Sequence, residues 1–230
     1  PVMTWALIVA CVAVWLLEVL LGFIAPGLRA WLMYLGMAAP VRLVAEPWTL
    51  ITSMFLHAGW MHLGGNMLFL WIFGDNLEEE MGHLGFLIFY LACGAAAGLA
   101  QALPDPGALA PMVGASGAIA GVMGGYLLLY PKARVDVIAI IIIYIKMLTI
   151  PAWVMLGLWF LLQIFSSFWT MGGDSGVAYW AHAGGFVAGI ILALPIFIKL
   201  GGTVFWDRTH GRPPHRPVEY VRSRIPDVRR

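Results

Sequence analysis

The residues that could carry chemistry centre on Ser116, which lies between Gly114 and Gly117 at the start of an apolar stretch that runs to Pro131. A serine hydroxyl becomes a nucleophile when a base takes its proton, and a neutral imidazole is the usual base. His182 is the candidate base, in a later apolar stretch of the chain. No Asp or Glu accompanies it near the start of that stretch, so the pair would act as a dyad.

Acyl transfer also requires hydrogen-bond donors that are directed at the developing oxyanion. His62 and Asn66 are spaced i, i+4, so they share one face of a helix. We expect both side chains to serve as donors. The backbone N–H of Ser116 is a third, because a first-turn N–H has no partner within its own helix.

The composition is that of an integral membrane protein. Of 230 residues, 61% are hydrophobic and 11% are charged, with a mean hydropathy of +0.87, whereas an average soluble domain carries about 25% charged residues. Cys11 and Cys93 both lie in apolar runs, so no disulfide framework is implied. The net charge of +1 gives no indication of nucleic-acid binding.

Hydropathy predicts an all-α bundle of six transmembrane helices within residues 1–200, since about 20 apolar residues are needed to cross a bilayer. The predicted spans are 3–24, 53–74, 83–103, 114–130, 151–170 and 177–198. The apolar segment 135–150 is rich in β-branched isoleucine, which favours extended structure. We interpret it as an interfacial or re-entrant connection, with a short seventh span as the alternative.

Two further segments are predicted to lie outside the spans. The long first loop, residues 25–52, is rich in aromatic and aliphatic residues and is expected to lie in the membrane interface. Residues 201–230 contain seven arginines and several prolines, which predicts a disordered basic tail that contacts anionic headgroups.

The distribution of basic residues predicts the orientation. With six spans both termini share one side, and the positive-inside rule places them in the cytoplasm. The basic residues on that side, besides the tail, are Lys132, Arg134, Lys146 and Lys199, against Arg29 and Arg42 on the other. Spans two, four and six then begin on the outer face. His62, Asn66, Ser116 and His182 would therefore lie at a similar depth in the outer half.

Glycine spacing indicates how two of these spans meet. Span four carries a stripe of small residues that includes Gly117 and Gly121, and span six carries Gly185 and Gly189 on the face of His182. Small residues let membrane helices approach closely. If these stripes face each other, the Ser116 hydroxyl and the His182 ring come within hydrogen-bond distance.

Other interpretations of single residues compete with this one. Ser116 and Asn66 each could serve helix packing alone. A zinc site formed by His57, His62 and His182 is disfavoured because no carboxylate or thiolate joins them, so we expect no metal and no cofactor. The run Gly173-Asp174-Ser175-Gly176 is similar to the nucleophile segment of chymotrypsin-like proteases, but the β-barrels of that fold are not predicted here.

Three ordered motifs on spans two, four and six resemble the rhomboid intramembrane serine proteases. They are His57-Ala58-Gly59-Trp60-Met61-His62-Leu63-Gly64-Gly65-Asn66, Gly114-Ala115-Ser116-Gly117 and Ala181-His182-Ala183-Gly184-Gly185. The resemblance covers about residues 5–198. It implies a membrane-embedded first loop and a fifth span that acts as a lateral gate.

The resemblance also implies roles for individual residues. Ser116 would be the nucleophile and His182 the general base, with His62, Asn66 and the Ser116 backbone as the oxyanion hole. Gly114 would let the substrate backbone approach, and His57 would support the site. Glu78 matches an acidic residue at the inner end of span two, where a structural role is expected.

Two positions depart from the family pattern. Trp48-Thr49 stands where the first loop often carries Trp-Arg, and Ala120 replaces an aromatic residue that packs on the histidine in several members. How His182 is held in place is therefore an open question at the level of sequence.

The sequence predicts an intramembrane serine endopeptidase of the plasma or inner membrane, with its active site open to the outer face. Its partners would be the bilayer and transmembrane protein substrates, cut within or beside their spanning segment. The alternatives are a catalytically silent rhomboid-like protein that binds transmembrane segments, and a small transporter.

Overall fold

The computed structural model describes residues 1–141, 144–169 and 178–214. The apolar sequence folds into helices, since a helix satisfies its own backbone hydrogen bonds in lipid. The helices are α1 (Val2–Ile24), α2 (Pro26–Gly36), α3 (Thr49–Thr52), α4 (Trp60–Met81), α5 (His83–Ala102), α6 (Ser116–Leu129), α7 (Ala152–Trp169), α8 (Tyr179–Lys199) and α9 (Thr203–Thr209). Two strands, β1 (Arg134–Ile141) and β2 (Tyr144–Pro151), lie between α6 and α7.

The apolar helices differ in length. Within the described residues, α1, α5 and α8 are long and apolar enough to cross a membrane, and α6 and α7 are shorter apolar helices. The helix that corresponds to the predicted second span, 53–74, is α4, which begins at Trp60 and continues to Met81. Its backbone stays helical through the acidic residues after Asn76 and ends at Gly82, whose φ is +71°.

The predicted connection at 135–150 is a β-hairpin. Strands β1 and β2 are antiparallel, with Arg134 opposite Pro151 and Ile141 opposite Tyr144. The Thr149 hydroxyl donates to the Asp136 carboxylate across the ladder at 2.5 Å. The described part of this segment is thus extended, as its isoleucines predict, and it contains no seventh helix.

The first loop is largely structured. It contains α2, a 3₁₀ turn at Pro40–Arg42 and α3. The Arg42 guanidinium donates to the Tyr34 carbonyl at 2.8 Å and pairs with Glu46. A single β-bridge between Ala38 and Met112 joins the loop to the segment that leads into α6.

The C-terminal end of α4 is hydrogen-bonded to the start of α1. The Glu78 carboxylate, 2% exposed, accepts hydrogen bonds from the Met3 and Thr4 backbone N–H groups at 2.8 and 2.7 Å. It also contacts the Thr4 hydroxyl and the His83 ring. These first-turn N–H groups have no partner within α1, so the Glu78 carboxylate caps the N-terminus of that helix.

The centre of the fold is the interface between α6 and α8, where glycines from both helices meet. A Cβ on Gly185 would overlap the Gly117 carbonyl, and one on Gly189 would overlap the Gly121 carbonyl. These helices approach so closely because no side chain separates the two backbones. The predicted pairing of the glycine stripes is confirmed.

The predicted disorder after residue 200 is wrong for the segment that forms α9. Phe205 is 1% exposed and its ring lies 5.8 Å from that of Tyr130. The Trp206 indole N–H donates to the Leu128 carbonyl at 3.0 Å. Two aromatic side chains therefore fix α9 against the end of α6 despite the basic composition, whereas residues 215–230 lie outside the described part of the chain.

Candidate active site

Ser116 and His182 are hydrogen-bonded at the starts of two helices. Ser116 is the first residue of α6, and His182 lies in the first turn of α8. The Ser116 Oγ and the His182 Nε2 are 2.8 Å apart. The glycine-lined interface below them sets this distance, because it holds the two helix axes together directly under both side chains.

The other ring nitrogen of His182 has a partner that the sequence did not suggest. His182 Nδ1 lies 2.8 Å from Gln163 Oε1, on α7. An amide oxygen can only accept a hydrogen bond, so Nδ1 carries the proton. Nε2 is then free to accept the proton of the Ser116 hydroxyl.

An aromatic ring from α7 also contacts the histidine. The Trp159 ring centroid lies 5.9 Å from that of His182 and 6.0 Å from that of Phe186. Ala120, which lacks the aromatic ring of several rhomboid sequences, is buried in α6. In this chain the aromatic contact comes from a different helix.

The predicted oxyanion donors lie beside the backbone that precedes Ser116. A Cβ on Gly114 would lie 2.7 Å from His62 Nε2 and 3.5 Å from Asn66 Nδ2. Gly114 has φ of +118°, a conformation that other residues adopt only with strain. This position therefore requires glycine for two reasons, the close approach of His62 and the backbone conformation.

The two donors differ in their own hydrogen bonds. The Ala58 N–H donates to His62 Nδ1 at 3.4 Å, which leaves the proton on Nε2, toward Gly114. Asn66 is 7% exposed, and within the described residues its Nδ2 has no hydrogen-bond partner. A buried amide donor without a partner is costly, and a developing oxyanion beside Gly114 would relieve that cost.

His57 lies behind this group. It is fully buried, its Nδ1 is 3.3 Å from the Phe55 carbonyl, and its ring meets the His62 ring edge-on at 5.3 Å. His57 thus contacts His62, consistent with a supporting position. Within the described residues, no group of three His, Cys, Asp or Glu side chains could hold a metal ion.

A small cavity opens beside Ser116 on the side of α5. Its lining near Ser116 consists of small side chains: Ala97, Gly98, Gly114, Gly117, Ala178 and Ala181. Larger side chains, those of Leu50, Met54 and Met112, also line it. The competing serine of the sequence, Ser175, lies outside the described residues.

Sequence reasoning missed Gln163 and Trp159 because both lie on α7. A carboxylate is the expected partner of a general-base histidine, and the spans that carry the other site residues have none near their starts. One signal was present, since a glutamine within an otherwise apolar membrane helix is costly unless it has a partner. Gln163, in the middle of α7, is such a residue.

Comparisons with known proteins show which family the chain resembles. The family model for the rhomboid domain matches residues 44–199. RHOMBOID-like protein 5 of Arabidopsis thaliana is 33% identical over 191 residues, covering 79% of this chain and 53% of that relative. Rhomboid-related protein 2 of Mus musculus is 31% identical over 171 residues, covering 70% and 52%.

A third relative matches a shorter segment. Rhomboid protease GluP of Bacillus subtilis (strain 168) is 42% identical over 82 residues, covering 36% of this chain and 16% of that relative. The chain spans about half the length of the first two relatives. The family model covers well over half of the chain, including every residue of the candidate site. The chain is therefore a multi-pass membrane protein of the rhomboid family.

Proposed function

We propose that this protein is an intramembrane serine endopeptidase that cleaves transmembrane proteins with a Ser116–His182 dyad. The observation that carries the proposal is the 2.8 Å contact between Ser116 Oγ and His182 Nε2. Membership of the rhomboid family supports the same class of activity, since one relative is named a protease. The site residues have the identities that this chemistry requires.

In the acylation step, Ser116 Oγ attacks the substrate carbonyl carbon while its proton passes to His182 Nε2. The carbonyl oxygen becomes an oxyanion, for which His62 Nε2, Asn66 Nδ2 and the Ser116 N–H are the available donors. The tetrahedral intermediate collapses, the C–N bond breaks, and His182 gives its proton to the departing amine. An acyl ester on Ser116 remains.

Water completes the cycle. A water molecule gives a proton to His182 Nε2 as its oxygen adds to the ester carbonyl. The same donors stabilise the second oxyanion, the bond between Ser116 Oγ and the acyl carbon breaks, and His182 returns the proton to the serine. Atoms balance over the two steps, with one peptide bond and one water consumed.

The substrate class follows from the cavity and from the family. The cavity next to Ser116 has a volume of only about 40 Å³, which favours a substrate with a small side chain at the cleavage site. The predicted orientation, with cytoplasmic termini in a plasma or inner membrane, places the dyad near the outer face. Water and the extracellular flank of a spanning segment would both reach it there.

The test is cleavage of a single-span substrate by the full chain in proteoliposomes. We expect Ser116→Ala and His182→Ala each to lower the cleavage rate by about a thousandfold or more, since dyad members act as a unit. Both variants should still purify as folded protein. Ser175→Ala is the matched control, because it removes the competing serine, and it should cleave at the wild-type rate.

Two results would contradict the proposal. One is cleavage by Ser116→Ala at a rate comparable to wild type. The other is that folded wild-type protein binds single-span substrates but cuts none of them, whichever small residue stands at the cleavage site. That second result would favour the catalytically silent binder.

A further inference from the structure

The helix α7 presents one polar residue toward the site, Gln163, within an apolar sequence. Leu158, Leu161, Leu162 and Phe165 of the same helix are each more than half exposed, on the side directed away from the bundle. Gln163 is partly buried, and its side-chain oxygen lies 2.8 Å from His182 Nδ1. An amide costs free energy in a membrane helix unless it is paired, and His182 supplies the pairing.

This hydrogen bond selects one tautomer of a ring that has two. A neutral imidazole carries one proton, on Nδ1 or on Nε2. With the proton on Nε2, the ring could not accept the proton of the Ser116 hydroxyl. The Gln163 oxygen holds the proton on Nδ1, so the nitrogen that faces Ser116 is the basic one.

A second contact from α7 fixes the plane of the ring. The Trp159 ring, one turn before Gln163, lies at 34° to the His182 ring with centroids 5.9 Å apart. The neighbouring Phe160 ring stacks on the Phe186 ring of α8, with centroids 4.8 Å apart. The face of α7 that carries Trp159, Phe160 and Gln163 is thus packed against the face of α8 that carries His182.

We propose that Gln163 is a positioning residue that sets the tautomer and orientation of His182 for catalysis, a role that rests on the proposed protease function. It does not touch the reacting atoms. It acts through the imidazole, in the place that a carboxylate takes in a three-residue site. Because Gln163 belongs to α7, the reactivity of Ser116 depends on α7 lying against α8.

The experiment compares two substitutions of similar volume at this position. Gln163→Met removes the acceptor, and Gln163→Glu keeps an oxygen at the same place. We expect Gln163→Met to lower kcat about tenfold with KM unchanged, the size of effect that one lost hydrogen bond produces. Gln163→Glu should retain more activity than Gln163→Met.

A spectroscopic measurement tests the tautomer without reference to activity. In protein labelled with ¹⁵N-histidine, the His182 signals are assigned by their loss in His182→Asn. The wild type should show the Nδ1–H tautomer, and Gln163→Met should move the population toward Nε2–H. This result stands or falls whether or not the protein proves to be a protease.

The matched control is another glutamine that bonds to the same turn of α8. Gln101 Oε1 accepts the Ala181 backbone N–H at 3.0 Å, whereas the hydrogen bonds of the His182 ring among the described residues go to Gln163 and Ser116. Gln101→Met should leave the tautomer of His182 and kcat as in wild type. An unchanged tautomer in Gln163→Met, or a kcat loss shared equally by Gln101→Met, would overturn the proposal.

Discussion

The α6–α8 interface and helix α7 contribute to the same site in different ways. At the interface, glycine backbones touch, and the groups that would carry the reaction, Ser116 and His182, begin the two helices. Helix α7 is peripheral, with a largely exposed apolar outer face, and it contributes Gln163 and Trp159 to the histidine. The distance between the Ser116 hydroxyl and the His182 ring is thus set by rigid packing, while the proposed tautomer of that ring depends on a less enclosed helix.

The largest expected effect on stability comes from adding one methyl group at the α6–α8 interface. A Cβ on Gly189 meets the Gly121 backbone, which cannot move aside as a flexible side chain can. Gly189→Ala should therefore lower the free energy of unfolding by about 1–3 kcal/mol, the usual cost of overpacking. It should also reduce cleavage, because the two helices must separate. Thermal unfolding in detergent measures the first effect.

The same change on α7 provides the control. Gly157 has no atom within 4 Å of an added Cβ, so Gly157→Ala should be neutral or slightly stabilising, as expected for alanine in a helix. A loss of stability at Gly157 equal to that at Gly189 would contradict the distinction between a tightly packed interface and a peripheral helix.

A smaller effect is expected from the aromatic contact on α7. Trp159→Leu removes the ring beside His182 and keeps an apolar side chain, so we expect cleavage to fall several-fold, in line with about 0.5–1.5 kcal/mol for an aromatic pair. Trp153→Leu, on the same helix but 57% exposed, should cleave as wild type. Equal losses in both variants would mean that the ring does not act through His182.

The positions of the site residues were largely accessible from sequence. Polar residues on alternate helices and the glycine stripes led to the correct pairing of α6 with α8, because depth and close approach follow from helix parity and residue size. Gln163 could not be predicted in the same way. It lies on α7, which runs antiparallel to α6 and α8, and its position in the sequence does not show that it is close to His182.

The differences between the predicted and the observed elements have related causes. Hydropathy measures where apolar residues lie, but α4 remains helical through its acidic end and begins after Gly59. In the tail, the many arginines and prolines predict disorder, but Phe205 is buried and Trp206 is hydrogen-bonded to Leu128 of α6, so α9 is a structured element. The average composition of a segment does not show that two of its side chains hold it against the rest of the protein.

The most direct test of the central claim, that Ser116 is a nucleophile activated by His182, is covalent labelling with a fluorophosphonate followed by peptide mapping in a mass spectrometer. We expect one adduct, on the peptide that contains Ser116, formed by the wild type and lost in His182→Ala. No adduct on folded protein, an adduct on another serine, or undiminished labelling of His182→Ala would contradict the claim.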